Sequence, residues 1–143
     1  MADIYKFKIK GIRLISVRFD LKTDKKYKPA KDIPISSTLD LRHDFIDDKK
    51  LLQLFIKFDI CGEKLPFSLN IEIGGSFIFS NIIKVEQTLD KIARVNCAAI
   101  LFPYLRETVA DIVRRAGLPP LNLPPVNFVA LYTVKPKEKK QIT

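Results

Sequence analysis

The spacing of apolar residues changes once along this chain, and that change limits the folds open to it. Before residue 80 apolar side chains recur at every second position; beyond it they recur every third or fourth. A period of 2 lines one face of a strand, and a period of 3.6 lines one face of a helix. Tyr5, Phe7 and Ile9 alternate with Lys6, Lys8 and Lys10. The phase slips after Gly11 to Ile12 and Leu14, then returns at Ile15, Val17 and Phe19, which predicts a long strand bent by a bulge. A second strand carries Leu39, Leu41 and Phe45 on one face and Asp40, Arg42 and Asp44 on the other. A third carries Leu52, Leu54, Ile56, Phe58 and Ile60, and a fourth Leu65, Phe67, Leu69, Ile71 and Ile73. Only Asp47–Lys50 and Gly62–Lys64 separate these runs, so they form an antiparallel meander. Gly74-Gly75 reads as a bulge before Ser76-Phe77-Ile78-Phe79.

The helical part follows. Val85, Leu89, Ile92 and Ala93 suit a short helix, with Ser80 or Asn81 as a somewhat early cap. Leu101, Phe102, Leu105, Val109, Ile112, Val113 and Ala116 form the stripe of a longer one, with Asp111 one turn from Arg115. Gly117, Pro119 and Pro120 stop it. Asn127 is the expected cap of a short last helix from Phe128 to about Val134. The expected fold is therefore α+β: a four-stranded antiparallel sheet with a long helix and a short C-terminal helix on one face. One domain spans 1–134, with 21–34 a lysine-rich crossover connection and 135–143 a charged flexible tail.

Composition narrows the chemistry. At 47% apolar and 29% charged residues the chain is an ordinary globular protein, and no apolar run approaches the roughly 18 residues of a membrane span. The opening residues lack a signal-peptide layout, and Cys61 and Cys97 are too few for a disulfide framework, so the expectation is a cytoplasmic protein with reduced thiols. One histidine and two cysteines make no four-ligand zinc site without carboxylates, so no metal is expected. The chain has no GxxxxGK[ST], GxGxxG or GxSxG motif, hence no phosphate cradle, no nucleotide cofactor and no nucleophile elbow. His43 sits between Arg42 and Asp44, whose side chains take the other face of a strand, so these three make no catalytic group. Cys97 has no histidine near it in sequence to activate it, and Asp47-Asp48 reads as a solvated turn. No catalytic residue and no enzyme activity are expected.

Charge is the unusual number. The net charge is +9, and Lys22–Lys31 and Lys135–Lys140 carry +4 and +3 of it. Nucleic-acid readers favour arginine on an ordered face, whereas this excess is lysine in a connection and a tail. Solubility and edge protection account for it, with capture of an acidic partner as the alternative. A nucleic-acid-binding module built on the two lysine segments is the distant alternative, and no nucleic acid is expected.

The stretch from Asn96 to Tyr132 holds Leu101-Phe102-Pro103-Tyr104, Arg106-Glu107, Gly117, Leu121-Asn122-Leu123 and Pro125-Val126-Asn127-Phe128. These blocks and their spacing resemble the SecB family of protein-export chaperones. Upstream, Gly75, Phe77 and Leu39-Asp40-Leu41 fit the same family. The resemblance implies a homotetramer assembled as a dimer of dimers, and ATP-independent binding of unfolded or precursor polypeptides in apolar grooves. It places Leu39, Leu41, Phe128 and Tyr132 in the polypeptide-binding groove. A surplus of apolar residues fits that picture. Phe77-Ile78-Phe79 is consecutive and Phe55 sits on a polar face, so Phe55, Phe77 and Phe79 are expected on an assembly or groove surface.

The chain also departs from the family. Members that hand clients to the SecA motor use acidic residues on the exposed sheet face. Ser16 and Asn70 replace two of them, leaving Asp20 as the possible SecA-facing residue, and Lys135–Lys140 stands where an acidic tail is usual. SecA is thus in doubt as a partner. The family also includes SecB-like chaperones dedicated to an antitoxin, and a basic member without SecA handover is the alternative reading.

Overall fold

The structure, a computed structural model, describes residues 6–22, 36–46, 50–63, 65–81, 85–133 and 140–141. Strands β1 (Phe7–Leu21), β2 (Ser36–Ile46), β3 (Leu51–Cys61) and β4 (Phe67–Phe79) are followed by helix α1 (Glu86–Lys91), a π-helical segment (Ile92–Cys97), α2 (Ala98–Arg115), α3 (Phe128–Thr133) and a two-residue strand, β5 (Lys140–Gln141). The sheet order is β1-β4-β3-β2-β5, with every pairing antiparallel. The meander β2-β3-β4 is as the alternation predicts. β1 pairs on the far side of β4, so the chain crosses the whole sheet between β1 and β2; residues 23–35 of that lysine-rich connection lie outside the described residues. Of the tail, Lys140–Gln141 extends the sheet past the four strands expected.

Parity builds the core. Leu52, Leu54, Ile56 and Phe58 of β3 are fully buried, and Phe67, Leu69, Ile71, Ile73, Phe77 and Phe79 continue the same face on β4. Leu101, Leu105, Val109 and Val113 of α2 pack onto it as the helical stripe predicts. Asp111 takes hydrogen bonds from Arg114 and, at 2.9 Å, from Arg115 Nε. Gly117 stops the helix at φ 81°, a conformation that a side chain disfavours. Asn127 caps α3 by accepting the Ala130 N–H at 3.1 Å.

Three expectations need correction. The two helices are one unbroken helical run from Glu86 to Arg115, joined by the π-helical segment, and α1 starts at Val85 without a side-chain cap. Gly74-Gly75 is not a bulge, because β4 keeps regular pairing with β3 through both glycines. The register shifts lie on β1 instead, between Ile9 and Gly11 and between Leu14 and Ser16. Two shifts restore the phase, so Phe7, Ile9, Ile12, Leu14, Val17, Phe19 and Leu21 all pair with core-face residues of β4. Ile15, expected to share a face with Val17 and Phe19, is the extra residue of the second shift and meets Gly74 on the opposite face.

The glycine pair exists for space. A Cβ on Gly75 would lie 3.1 Å from the Phe77 ring and 3.2 Å from Leu101 Cδ1, where α2 crosses the sheet. A Cβ on Gly74 would lie 3.1 Å from both Ile15 and Phe55 on the other face. Gly75→Ala is expected to cost about 1–3 kcal/mol by overpacking. Gly11→Ala, with nothing within 4 Å, is expected to be neutral or slightly stabilising. Urea midpoints of the two variants check this, and equal midpoints would contradict it.

Candidate polypeptide-binding surface

The helical run begins near β2 and passes over β3 and β4. The helix-bearing face of the sheet is wider than that cover. At the β1 margin Ile9, Leu14, Val17 and Leu21 are 43–53% exposed although they point to the core side. At the β2 margin Leu41, His43 and Phe45 are half-buried. There a cleft of about 520 Å³ opens between His43 and Phe45 of β2 and Glu86, Leu89 and Asp90 of α1.

The sequence-derived site residues divide by burial. Leu39 (6% exposed) and Phe128 (4%) belong to the protomer core, Phe128 against Phe102 with ring centroids 5.6 Å apart. Leu41 and Tyr132 are half-buried and reach the surface. Phe77 and Phe79 are corrected: as β4 residues of core parity they are 0% and 2% exposed, and Ile78 between them faces out at 42%. Phe79 packs with tilted rings against Phe7 and Phe45, centroids 5.4 and 6.4 Å away, across that end of the sheet. Phe55 does face out, with the Arg42 guanidinium 4.1 Å above its ring.

A polar latch joins the elements around the β2 cleft. Asp90 of α1 accepts a 3.0 Å hydrogen bond from Arg94 Nε and lies 3.5 Å from His43 Nε2 of β2. Burial, and then the Asp90 charge and a hydrogen bond donated to it, hold the Tyr132 hydroxyl of α3 above its ordinary range. One carboxylate thus ties β2, α1 and the π-helical segment, and its charge reaches the Tyr132 hydroxyl of α3. Burial pulls the His43 imidazole below its ordinary value; Asp90 opposes that, Arg94 adds to it and Asp44 opposes it. His43 Nδ1 is buried without a partner. Sequence reasoning passed over His43 as a structural or surface residue. The signal was its odd position, which puts it on the face of Leu39, Leu41 and Phe45.

The remaining sites carry less. A second cleft, about 680 Å³, lies between α2 and residues 122–123, with Arg106, Glu107, Asp111 and Arg114 on its wall. Its mixed charge and polar lining suit no apolar segment. Burial pushes the Cys97 thiol up to about 12, so it is no thiolate at neutral pH. Among the described residues no three His, Cys, Asp or Glu side chains are placed to hold a metal ion, and no helix is long and apolar enough to cross a membrane. On the outer sheet face, Ser16, Asn70 and Asp20 share one side in register. Asp20 pairs with Arg18 at 3.1 Å, Asn70 donates to Asp59, and Glu72 takes Arg42 at 3.5 Å.

The latch has a measurable signature. An unfolded chain protonates His43 near its ordinary value of 6.5, whereas the folded chain does so only at lower pH. Stability from His43 is therefore present above pH 6.5 and is lost as pH falls below it. Between pH 7.5 and 5.5 the urea midpoint of the native chain should fall more than that of His43→Gln. Parallel pH dependences would contradict this.

The comparisons agree with the fold. The family model described as "Preprotein translocase subunit SecB" matches residues 12–139. The Protein-export protein SecB of Jannaschia sp. (strain CCS1) is 36% identical over 106 residues, covering 71% of this chain and 61% of that protein. The Protein-export protein SecB of Acidithiobacillus ferrooxidans (strain ATCC 53993 / BNL-5-31) is 42% identical over 82 residues, covering 57% and 54%. The chain thus spans between half and two thirds of the length of these relatives. Among solved structures, the SecB-like chaperone Rv1957 of Mycobacterium tuberculosis, in complex with a ChAD peptide from the Rv1956 HigA1 antitoxin, superposes with a TM-score of 0.69 at 22% identity, covering 85% of this chain and 91% of that one. By the extent of the family match, the chain belongs to the SecB family.

Proposed function

We propose that this protein is an ATP-independent chaperone that binds unfolded or precursor polypeptides and keeps them competent for export. The observation that carries this reading is the uncovered width of the helix-bearing face. A folded monomer rarely leaves a row such as Ile9, Leu14, Val17 and Leu21 at 43–53% exposure without a partner. The two margins take different partners. The β1 margin, at the edge strand of the described sheet, serves assembly with further copies into the homotetramer. The β2 margin, with Leu41 and Tyr132 around a latched cleft, serves the client. Leu39 and Phe128 support that groove from beneath. Affinity arises from several weak contacts on one long client, through effective concentration, so neither nucleotide nor catalysis is needed. The protein would act in the cytoplasm.

A second reading has its own support. Rv1957 was solved with an antitoxin peptide, and the outer face here lacks acid at Ser16 and Asn70, with Asp20 engaged by Arg18. A chaperone dedicated to one partner, without SecA handover, fits both. The export reading is preferred because the relatives at 36% and 42% identity are named protein-export proteins.

The test is refolding of a slow-folding, unrelated precursor with no nucleotide present. The intact protein should delay it at near-stoichiometric tetramer. Leu41→Ser, losing about 1 kcal/mol of apolar burial per contact, should weaken the delay roughly fivefold. No delay by folded, assembled protein would sink the general-chaperone reading in favour of a dedicated partner.

A further inference from the structure

In a four-stranded sheet β2 would be an open edge, a row of unpaired N–H and C=O groups that any extended chain can join. The structure fills part of it from within. Lys140 and Gln141 of β5 pair antiparallel with Leu39 and Thr38. The place is informative, because the same stretch of β2 carries Leu39 and leads into Leu41 beside the cleft. Leu39 is itself only 6% exposed, so its side chain offers a client little; what this stretch presents is its backbone. The six residues 134–139 connect β5 to α3.

We infer that the β2 edge around Ser37–Leu41 is a strand-addition site for extended segments of unfolded polypeptide, and that the C-terminal segment is its tethered competitor. This rests on the chaperone reading above. Main-chain pairing suits a promiscuous site, because every peptide carries the same donors and acceptors while neighbouring apolar pockets add preference. A two-residue strand contributes only a few hydrogen bonds of about 1 kcal/mol each, so a longer client segment displaces it. The short tether compensates by holding the competitor at an effective concentration in the millimolar range. Occupied by its own tail, the edge is shielded from pairing with a second sheet, and a client is admitted only in exchange. Capture of a client then depends on the fraction of protein whose edge is open.

The experiment compares the full chain, a chain ending at Thr133, and full-length Gln141→Pro. The proline variant keeps every tail charge and places in β5 a residue that strands disfavour. Two quantities are read: amide exchange at Thr38 and Leu39 without client, and the Kd for a permanently unfolded, fluorescently labelled precursor. The expected result is faster exchange of the edge-facing amide in both variants and a Kd roughly threefold or more tighter in both. Unchanged exchange would overturn the strand pairing. Faster exchange with an unchanged or weaker Kd would overturn the competitor role and leave the chaperone reading intact. A tighter Kd on truncation alone would assign the effect to tail charge and overturn the inference. If the full chain and both variants fail to bind the precursor, the chaperone reading falls, and the competitor role with it.

Discussion

Strands in a sheet lie about 4.8 Å apart, and a helix with its side chains is about 10 Å across, so one helix covers about two strands. This protomer has four long strands and a single long helical run. The run settles over β3 and β4, whose alternate residues are the most completely buried in the protein. It can lie close because Gly75 leaves room for Leu101 where the two cross. The consequence is fixed by geometry. The core-side residues of β1 and β2 fall towards the rim of the helical layer: Ile9, Leu14, Val17 and Leu21 stay 43–53% exposed, and Leu41 and Phe45 are only half-buried. An exposed apolar margin therefore comes with the architecture.

The two margins differ in what borders them. Among the described residues β1 is an edge strand, with an apolar row on one side and lysines or arginines at positions 8, 13 and 18 facing the other. β2 is bordered by a polar latch, in which one carboxylate, Asp90, meets His43, Arg94 and Tyr132 from three different elements. Such a cluster positions α1 and α3 against the sheet without closing the cleft between them. The outer face is another matter. Asp20, Asp59 and Glu72 are engaged there by neighbours on the sheet, whereas Asp40 and Asp44 of β2 stand exposed on the same side.

Most of the fold was legible because the period-2 and period-3.6 patterns are strong and rarely overlap. Alternation fixed β2, β3 and β4, and Asn127, Gly117 and the Asp111–Arg115 pair marked helix features by their local chemistry. The misses have physical causes. Ser80 and Asn81 looked like caps, yet backbone turns started α1 at Val85 instead. A glycine pair signals either a bulge or a close approach, and only the position of α2 decides between them. The phase of β1 depends on two shifts that cancel, and Ile15, apolar like its neighbours, hides the second. At the candidate site, Leu41 and Tyr132 were named through family resemblance alone, since alternation does not separate a groove residue from a core one. Phe77 and Phe79 were misplaced because a consecutive triplet does not reveal which parity faces the helix. The strand β5 was illegible: two polar residues in a lysine-rich tail carry no alternation.

The central claim is that clients bind on the helix-bearing side of the sheet at the β2 margin. The most direct measurement places a photo-crosslinking residue at position 41, 45 or 57 in separate proteins and illuminates each with an unfolded precursor. Phe45 lines the cleft and Leu41 lies on the same face of β2, whereas Lys57 lies exposed on the outer face. Strong crosslinks from 41 and 45 with only background from 57 are the predicted result. Crosslinking that is dominated by position 57 would contradict the account and move the client to the opposite face of the sheet.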